Sequence, residues 1–155
     1  MIIKNYELNK GKQIKGNIFL FYGENEGYKN QIIKEVFLNN SKSNIDRYEE
    51  NEILNNLDNF ISDLTNKSFF EDSKIIIVSR VSEKIIKLVN ELVDRKINDT
   101  TIILNANLLD KRSKLRSLFE KDSNLVCVPF YKDNDKSLSV ITNDFFKKRK
   151  LSIIR

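Results

Sequence analysis

The chain has 155 residues, a formal net charge of +5 at neutral pH, no histidine and a single cysteine, Cys127. This length fits one ordinary domain, one cysteine excludes an internal disulfide, and the lack of histidine excludes serine-type triads, papain-type dyads and the common zinc sites. The apolar runs are too short to cross a bilayer and the first residues do not resemble a signal peptide, so we expect a cytoplasmic protein without membrane contact.

Short β-branched and aliphatic runs alternate with amphipathic stretches along the whole chain, a pattern typical of strand-helix-strand units. Four runs are apolar enough to be strands that are covered on both faces. They are residues 17–22, 74–78, 100–104 and 124–128. A fifth, weaker strand is predicted around Ile45 to Tyr48. The pattern therefore predicts an α/β fold with a mostly parallel sheet of about five strands.

Apolar residues between these runs recur at helical spacing. The predicted helices carry Ile32, Ile33, Val36 and Phe37; then Ile53, Leu57, Phe60, Ile61 and Leu64; then Ile85, Ile86, Val89, Leu92 and Val93; and then Leu115, Leu118 and Phe119. Pro129 closes the last strand, and the polar run after it predicts a hinge before a final helix with Leu138, Ile141 and Phe145 on one side. We expect residues 1–131 to form the α/β domain. Residues 132–155 would form the hinge and the first helix of a truncated helical second domain.

The turn after the first strong strand lies where P-loop proteins bind phosphate with backbone N–H groups at the start of a helix. A working loop has four residues between its two glycines, followed directly by lysine and a hydroxyl residue. Here three residues separate Gly23 from Gly27, Tyr28 precedes Lys29, and Asn30 replaces the hydroxyl residue. The sequence favours a degenerate P-loop at Gly23, Gly27 and Lys29; an ordinary strand-to-helix turn is the alternative.

The charges around this turn also disfavour nucleotide. Glu24 and Glu26 add negative charge where a triphosphate would lie. A hydrolase also needs a carboxylate at the end of a strand to hold Mg²⁺, but the second strong strand is followed by Ser79 and Arg80. Asn105, at the end of the next strand, could position water in an active relative, but it stands without a charged neighbour in sequence. We expect no bound cofactor, no metal and no ATP hydrolysis.

Three stretches together resemble the delta subunit of the bacterial DNA polymerase III clamp loader. They are FLFYGENEG at 19–27, SFF at 68–70 with the strand after it, and LLDKRSKL at 108–115. The resemblance spans almost the whole chain and implies a three-layer, P-loop or AAA+-like domain followed by the start of a small helical lid domain. It also implies a subunit of the polymerase III holoenzyme, a nucleotidyltransferase complex, that has no enzymatic activity of its own and binds and opens the sliding clamp (beta subunit) in DNA replication.

The resemblance assigns the clamp contact to Ser68, Phe69 and Phe70, because family members use a small residue followed by two large apolar ones. The pair is Phe-Phe where the pattern leads us to expect Leu-Phe. Without the resemblance, two core residues would be the simpler interpretation. Family members also carry a complete second domain and a collar domain that this sequence does not include, so contacts with other loader subunits are expected only if a longer chain exists.

Positive charge is concentrated in two places. Lys111, Arg112, Lys114 and Arg116 form a cluster at the start of a predicted helix, and four of the five net positive charges lie between Lys132 and Arg155. The cluster is a candidate contact with another loader subunit or, weakly, with DNA; a solvated helix surface is the alternative. Two other functions stay open: a basic nucleic-acid-binding module, and an atypical P-loop NTPase that uses Lys29 for phosphate and Asp72 for Mg²⁺.

Overall fold

The computed structural model describes residues 1–8, 14–39, 43–65, 73–97 and 99–149. Within these ranges five strands form one sheet: β1 (Ile18–Tyr22), β2 (Asn44–Glu49), β3 (Lys74–Val81), β4 (Thr100–Ala106) and β5 (Leu125–Pro129). Their order is β2-β3-β4-β1-β5, and every neighbouring pair is parallel. The prediction of an α/β fold with about five parallel strands is therefore confirmed.

Helices cover both faces of this sheet. They are α1 (Asn5–Leu8), α2 (Glu26–Ile32), which continues as a π-helical turn over Ile33–Leu38, α3 (Glu50–Asn55), α4 (Leu57–Thr65), a 3₁₀ turn (Glu83–Ile85) leading into α5 (Ile86–Asp94), α6 (Lys114–Lys121) and α7 (Asp135–Lys148). One apolar cluster packs α3, α4, α5 and α6 on one face, and a second packs α1, α2 and the π-helical turn on the other. The result is three layers with two cores.

Strand β1 shows why the strong strands are apolar throughout. Ile18, Leu20 and Tyr22 belong to the first core, whereas Phe19 and Phe21 belong to the second. Successive side chains of a strand point to opposite faces, so a central strand between two helical layers must be apolar at every position.

The structure differs from the sequence prediction in the second helix. A break at Asn56, with φ −141° and ψ 45°, divides it into α3 and α4. The side-chain amide of Asn59 donates to Asn56 Oδ1 over 2.7 Å, and the Phe60 N–H donates to the Asn56 carbonyl. Asparagine favours such local bonds over continued helix. The apolar spacing does not show the break because both helices face the same core.

Two further features carry no periodic signal. The four-residue helix α1 and the parallel bridge between Ile2 and Cys127 are too short to produce one.

Strand β3 is longer than predicted. It continues past its predicted end at Val78 as far as Val81, with an irregular register in this stretch and Arg80 at φ +57°. A left-handed residue at a bulge is compatible with continued pairing, which apolar patterning alone does not predict.

Helix α7 follows the predicted hinge and leaves its apolar residues in solvent. Leu138, Val140, Ile141 and Phe145 are all exposed, Val140 to 60%. That residues 132–155 begin a second domain stays a prediction. In the described ranges, no helix has both the length and the apolar character needed to span a membrane.

Candidate functional site

The turn between β1 and α2 lies at the carboxyl edge of the sheet. Because β1 lies between β4 and β5, the residues that follow these two strands flank the turn. They are Asn107 on one side and Phe130 on the other. The sheet order therefore puts two chain segments, each distant in sequence, against the predicted degenerate P-loop.

At Gly23 the loop packs directly against the backbone of Phe130. Gly23 has φ +127°, and a Cβ atom built on it would lie 2.0 Å from the Phe130 carbonyl oxygen. Its N–H donates to the Asn107 carbonyl over 3.2 Å, and the Phe130 N–H donates to the Tyr22 carbonyl over 2.7 Å. Only glycine combines this backbone conformation with the absence of a side chain.

Five backbone N–H groups of the loop are bonded to the protein itself. Two of these bonds reach other segments: the Gly23 N–H donates to Asn107 O over 3.2 Å, and the Asn25 N–H donates to Phe130 O over 3.3 Å. The other three stay within the loop: the Glu26 N–H donates to Glu24 O over 3.0 Å, the Tyr28 N–H to Asn25 Oδ1 over 3.1 Å, and the Lys29 N–H to Asn25 O over 3.0 Å. A phosphate-binding loop works because such donors are free to point at the ligand. In this loop those five donors already have acceptors.

Lys29 is fully buried, and its ammonium group is satisfied inside the protein. Nζ pairs with Glu26 Oε1 and donates to the Ala106 carbonyl over 2.8 Å. The other Glu26 oxygen accepts from the Asn105 side-chain amide over 3.4 Å. A buried charge must be paired, so the glutamate that the sequence shows as a repulsive neighbour of phosphate is here the counter-ion of Lys29.

Two carboxylates that follow strand β2 at this edge are also engaged. Glu50, at the start of α3, is buried and accepts two bonds from Ser82, one from its N–H and one from its hydroxyl, both over 2.7 Å. Glu49 lies 3.3 Å from the guanidinium of Arg80. In the part of the chain that the structure describes, no group of three or more acidic or cysteine residues could hold a metal ion. Asp72 lies outside the described residues.

The basic cluster divides into two parts. Lys111, Arg112 and Lys114 are exposed and form no ion pair with any described residue. Arg116 donates to Glu120 over 2.7 Å, and its guanidinium lies 5.1 Å from the ring centre of Tyr22. Arg116 thus has partners within the protein that the other three lack.

Acidic side chains explain how a helix can begin in this positive region. Ser113 caps α6, Glu83 Oε1 accepts the N–H of Lys114 over 2.7 Å, and Asp110 accepts the N–H of Arg112 over 2.6 Å. These carboxylates oppose the unfavourable interaction between basic residues and the positive end of the helix dipole.

Sequence reasoning missed the residues that close the loop. Phe130 is fully buried, with its ring centre 4.9 Å from that of Phe21 and 5.7 Å from that of Tyr28. Asp133, in the predicted hinge, accepts from the side-chain amide of Asn25 over 2.7 Å. Both contacts join positions more than 100 residues apart, which no local pattern reveals.

Comparison with known proteins identifies the family. A family model described as DNA polymerase III, delta subunit, matches residues 19–128. The chain belongs to this family. It is also similar in structure to the Bacillus subtilis DNA clamp loader delta protein (YqeN), with a TM-score of 0.62 over 93% of this chain. No curated protein sequence matches it.

The likeness to the Bacillus protein is one of fold, since the sequence identity is 18%. This delta-family chain spans 46% of the length of that protein. The family and the AAA+-like fold predicted from the sequence are therefore confirmed.

The predicted clamp contact of the delta-family chain, Ser68, Phe69 and Phe70, lies outside the described residues. The nearest described residues are Thr65, which ends α4, and Ser73, which directly precedes β3. Ser73 thus lies at the amino edge of the sheet, opposite the loop at Gly23. The role of the three residues stays a prediction.

Proposed function

We propose that this delta-type subunit acts in DNA replication by binding the sliding clamp and opening one interface of the ring, without hydrolysing ATP. Family membership supports the clamp-loader role. The closed loop around Gly23 and Lys29 supports the absence of hydrolysis and is the observation that carries this part of the proposal. The proposal includes cytoplasmic location and contacts with other loader subunits.

Nucleotide binding would have to break hydrogen bonds and an ion pair that the loop already forms within the protein. Each internal hydrogen bond contributes about 1 kcal/mol, and the buried Lys29 ammonium would have to exchange the half-exposed Glu26 carboxylate for phosphate. A phosphate would have to displace several N–H bonds and the contact between Lys29 and Glu26, and the described residues contain no group of three or more acidic or cysteine residues that could hold Mg²⁺. The cost of opening the loop would offset the gain from phosphate contacts.

The first test is thermal unfolding with ATP and Mg²⁺. We expect no change in the melting temperature at millimolar nucleotide. A ligand at about 100 times its Kd would add about 2.7 kcal/mol, which for a domain of this size corresponds to a rise of roughly 5 to 10 °C. A working P-loop ATPase measured in the same buffer is the positive control. A rise of that size in this protein would favour the atypical NTPase instead.

We also propose that Ser68, Phe69 and Phe70 contact the clamp. Ser73 is attached to the amino edge of the sheet, whereas the closed loop is at the carboxyl edge.

The exposed residues Lys111, Arg112 and Lys114 form the proposed contact with a neighbouring subunit or, weakly, with DNA. Exposed cations without ion pairs can neutralise phosphate or acidic side chains, with an affinity that falls steeply as salt rises. Arg116, the fourth residue of the predicted cluster, is held by Glu120 and Tyr22 and would contribute less.

Heparin chromatography tests this cluster. Replacing Lys111, Arg112 and Lys114 by glutamine is expected to lower the salt concentration needed for elution, because three unpaired cations are lost from one surface. The matched control removes three exposed lysines from separate elements, at Lys34, Lys87 and Lys121. Equal elution of the two variants would show that total charge, and not this cluster, determines retention.

A further inference from the structure

We propose that the closed phosphate loop holds the hinge between β5 and α7, so that the direction of α7 is set by the chain's own residues and does not respond to nucleotide. We call the residues involved the loop-hinge contact: Tyr22, Gly23 and Asn25 in the loop, and Phe130 and Asp133 in the segment between β5 and α7. The inference rests on these contacts and does not depend on clamp binding.

The first attachment is through the backbone. The N–H of Phe130 donates to Tyr22 O over 2.7 Å, and the N–H of Asn25 donates to Phe130 O over 3.3 Å. Both polar backbone groups of Phe130 are therefore bonded to the loop, and its buried ring packs on the second core. The absent side chain of Gly23 allows this approach. The first residue after β5 is thus fixed in position.

The second attachment is through a carboxylate that joins two helices. Asp133 Oδ2 accepts from the Asn25 side-chain amide over 2.7 Å, and Asp133 Oδ1 accepts from the Ser137 hydroxyl over 3.0 Å. Asn25 also caps α2, since its Oδ1 accepts the N–H of Tyr28. Ser137 lies in the first turn of α7, and Asn134 is the residue that caps α7. Asp133 therefore connects the beginning of α2 to the beginning of α7.

Tyr22, whose carbonyl accepts the Phe130 N–H, is itself fixed in the first core, where it is buried beneath the guanidinium of Arg116. A hinge moves when a few residues are free to change their backbone angles. Here Phe130 and Asp133 are each attached to the loop.

The experiment measures the distance from the sheet domain to α7 by double electron-electron resonance. Spin labels are placed on cysteines introduced at the exposed positions Lys121, at the end of α6, and Lys147, in α7. Cys127 does not interfere, because it is fully buried and burial raises the pKa of its thiol to about 12. We expect one narrow distance distribution that is unchanged by ATP and Mg²⁺.

Two variants remove the side-chain attachment from its two ends. Asp133→Ala and Asn25→Ala are each expected to widen the distribution at least about twofold. Asn25→Ala leaves the capping groups of α7 in place, so widening in this variant reports on the segment between β5 and α7 and not on fraying of α7. Asp135→Ala is the matched control, because it removes an acidic residue from the start of α7 that has no side-chain bond to the loop.

The outcome is decisive in either direction. A broad distribution in the unmodified protein, a shift of the mean distance with nucleotide, or widths in Asp133→Ala and Asn25→Ala equal to that of Asp135→Ala would overturn the proposal. Loss of clamp binding with a narrow distribution would concern the proposed function alone.

Discussion

Alanine at both Phe69 and Phe70 is expected to weaken binding to the sliding clamp by about 100-fold or more. Burial of two phenylalanine side chains on a partner contributes roughly 3 to 6 kcal/mol before ordering costs, and a few such anchors dominate a small interface. Each 1.4 kcal/mol is about a factor of ten in Kd, so losing even the lower part of this range is readily measured. Titration of purified clamp by isothermal calorimetry or surface plasmon resonance gives the two dissociation constants.

The chain provides its own control for this experiment. Phe145 and Phe146 are a second adjacent pair, in α7, and Phe145 is 48% exposed. Replacing that pair by alanine removes the same apolar area but should leave clamp affinity unchanged. Circular dichroism and urea unfolding establish that both variants are folded. Clamp affinity that survives the change at Phe69 and Phe70 would remove this site from the proposal.

Replacing Gly23 by alanine is expected to destabilise the protein by about 3 kcal/mol or more. The new Cβ would lie 2.0 Å from Phe130 O and 2.6 Å from the Phe130 carbonyl carbon, and φ +127° is strained for any residue with a side chain. Relief would require the segment after β5 to move away from β1. Urea unfolding followed by circular dichroism measures the free energy of unfolding.

Replacing the other glycine of the loop, Gly27, is expected to change the free energy of unfolding in the opposite direction. Gly27 lies within α2, has an ordinary helical conformation, and a Cβ built on it would lie 3.9 Å from its nearest contact, Asn25 Oδ1. Alanine is the better helix former, so Gly27→Ala is expected to stabilise the protein by about 0.5 kcal/mol. If the two substitutions change stability equally, the close contact between Gly23 and Phe130 does not form in solution.

The strength of the strand signals follows from how deeply each strand is buried. Strands β1, β4 and β5 are buried almost throughout, and their continuous apolar runs predict them clearly. Strands β2 and β5 are the two edge strands, but only β2 is mostly exposed, which explains why its signal around Ile45 is weak. The break at Asn56 gave no signal, because a local bond between asparagine side chains leaves the apolar spacing unchanged.

The candidate site was only partly predictable. The sequence shows which residues of a working P-loop hydrolase are replaced or absent. They are the hydroxyl residue, replaced by Asn30, and the carboxylate that would follow β3. The partners that take their place are not visible. Glu26 looks like a source of repulsion until Lys29 is found buried against it, and nothing near Arg116 in the sequence indicates that it stacks on Tyr22.

The sequence by itself determined the class of fold, the position of the degenerate loop and the family, because these depend on patterns within single segments and on their order along the chain. Only the tertiary structure decided which residues contact the loop. The parallel sheet places β5 beside β1, which brings Phe130 to Gly23 and Asp133 to Asn25 across more than 100 residues. Such contacts depend on the order of strands in space, which local hydrophobic patterning does not encode.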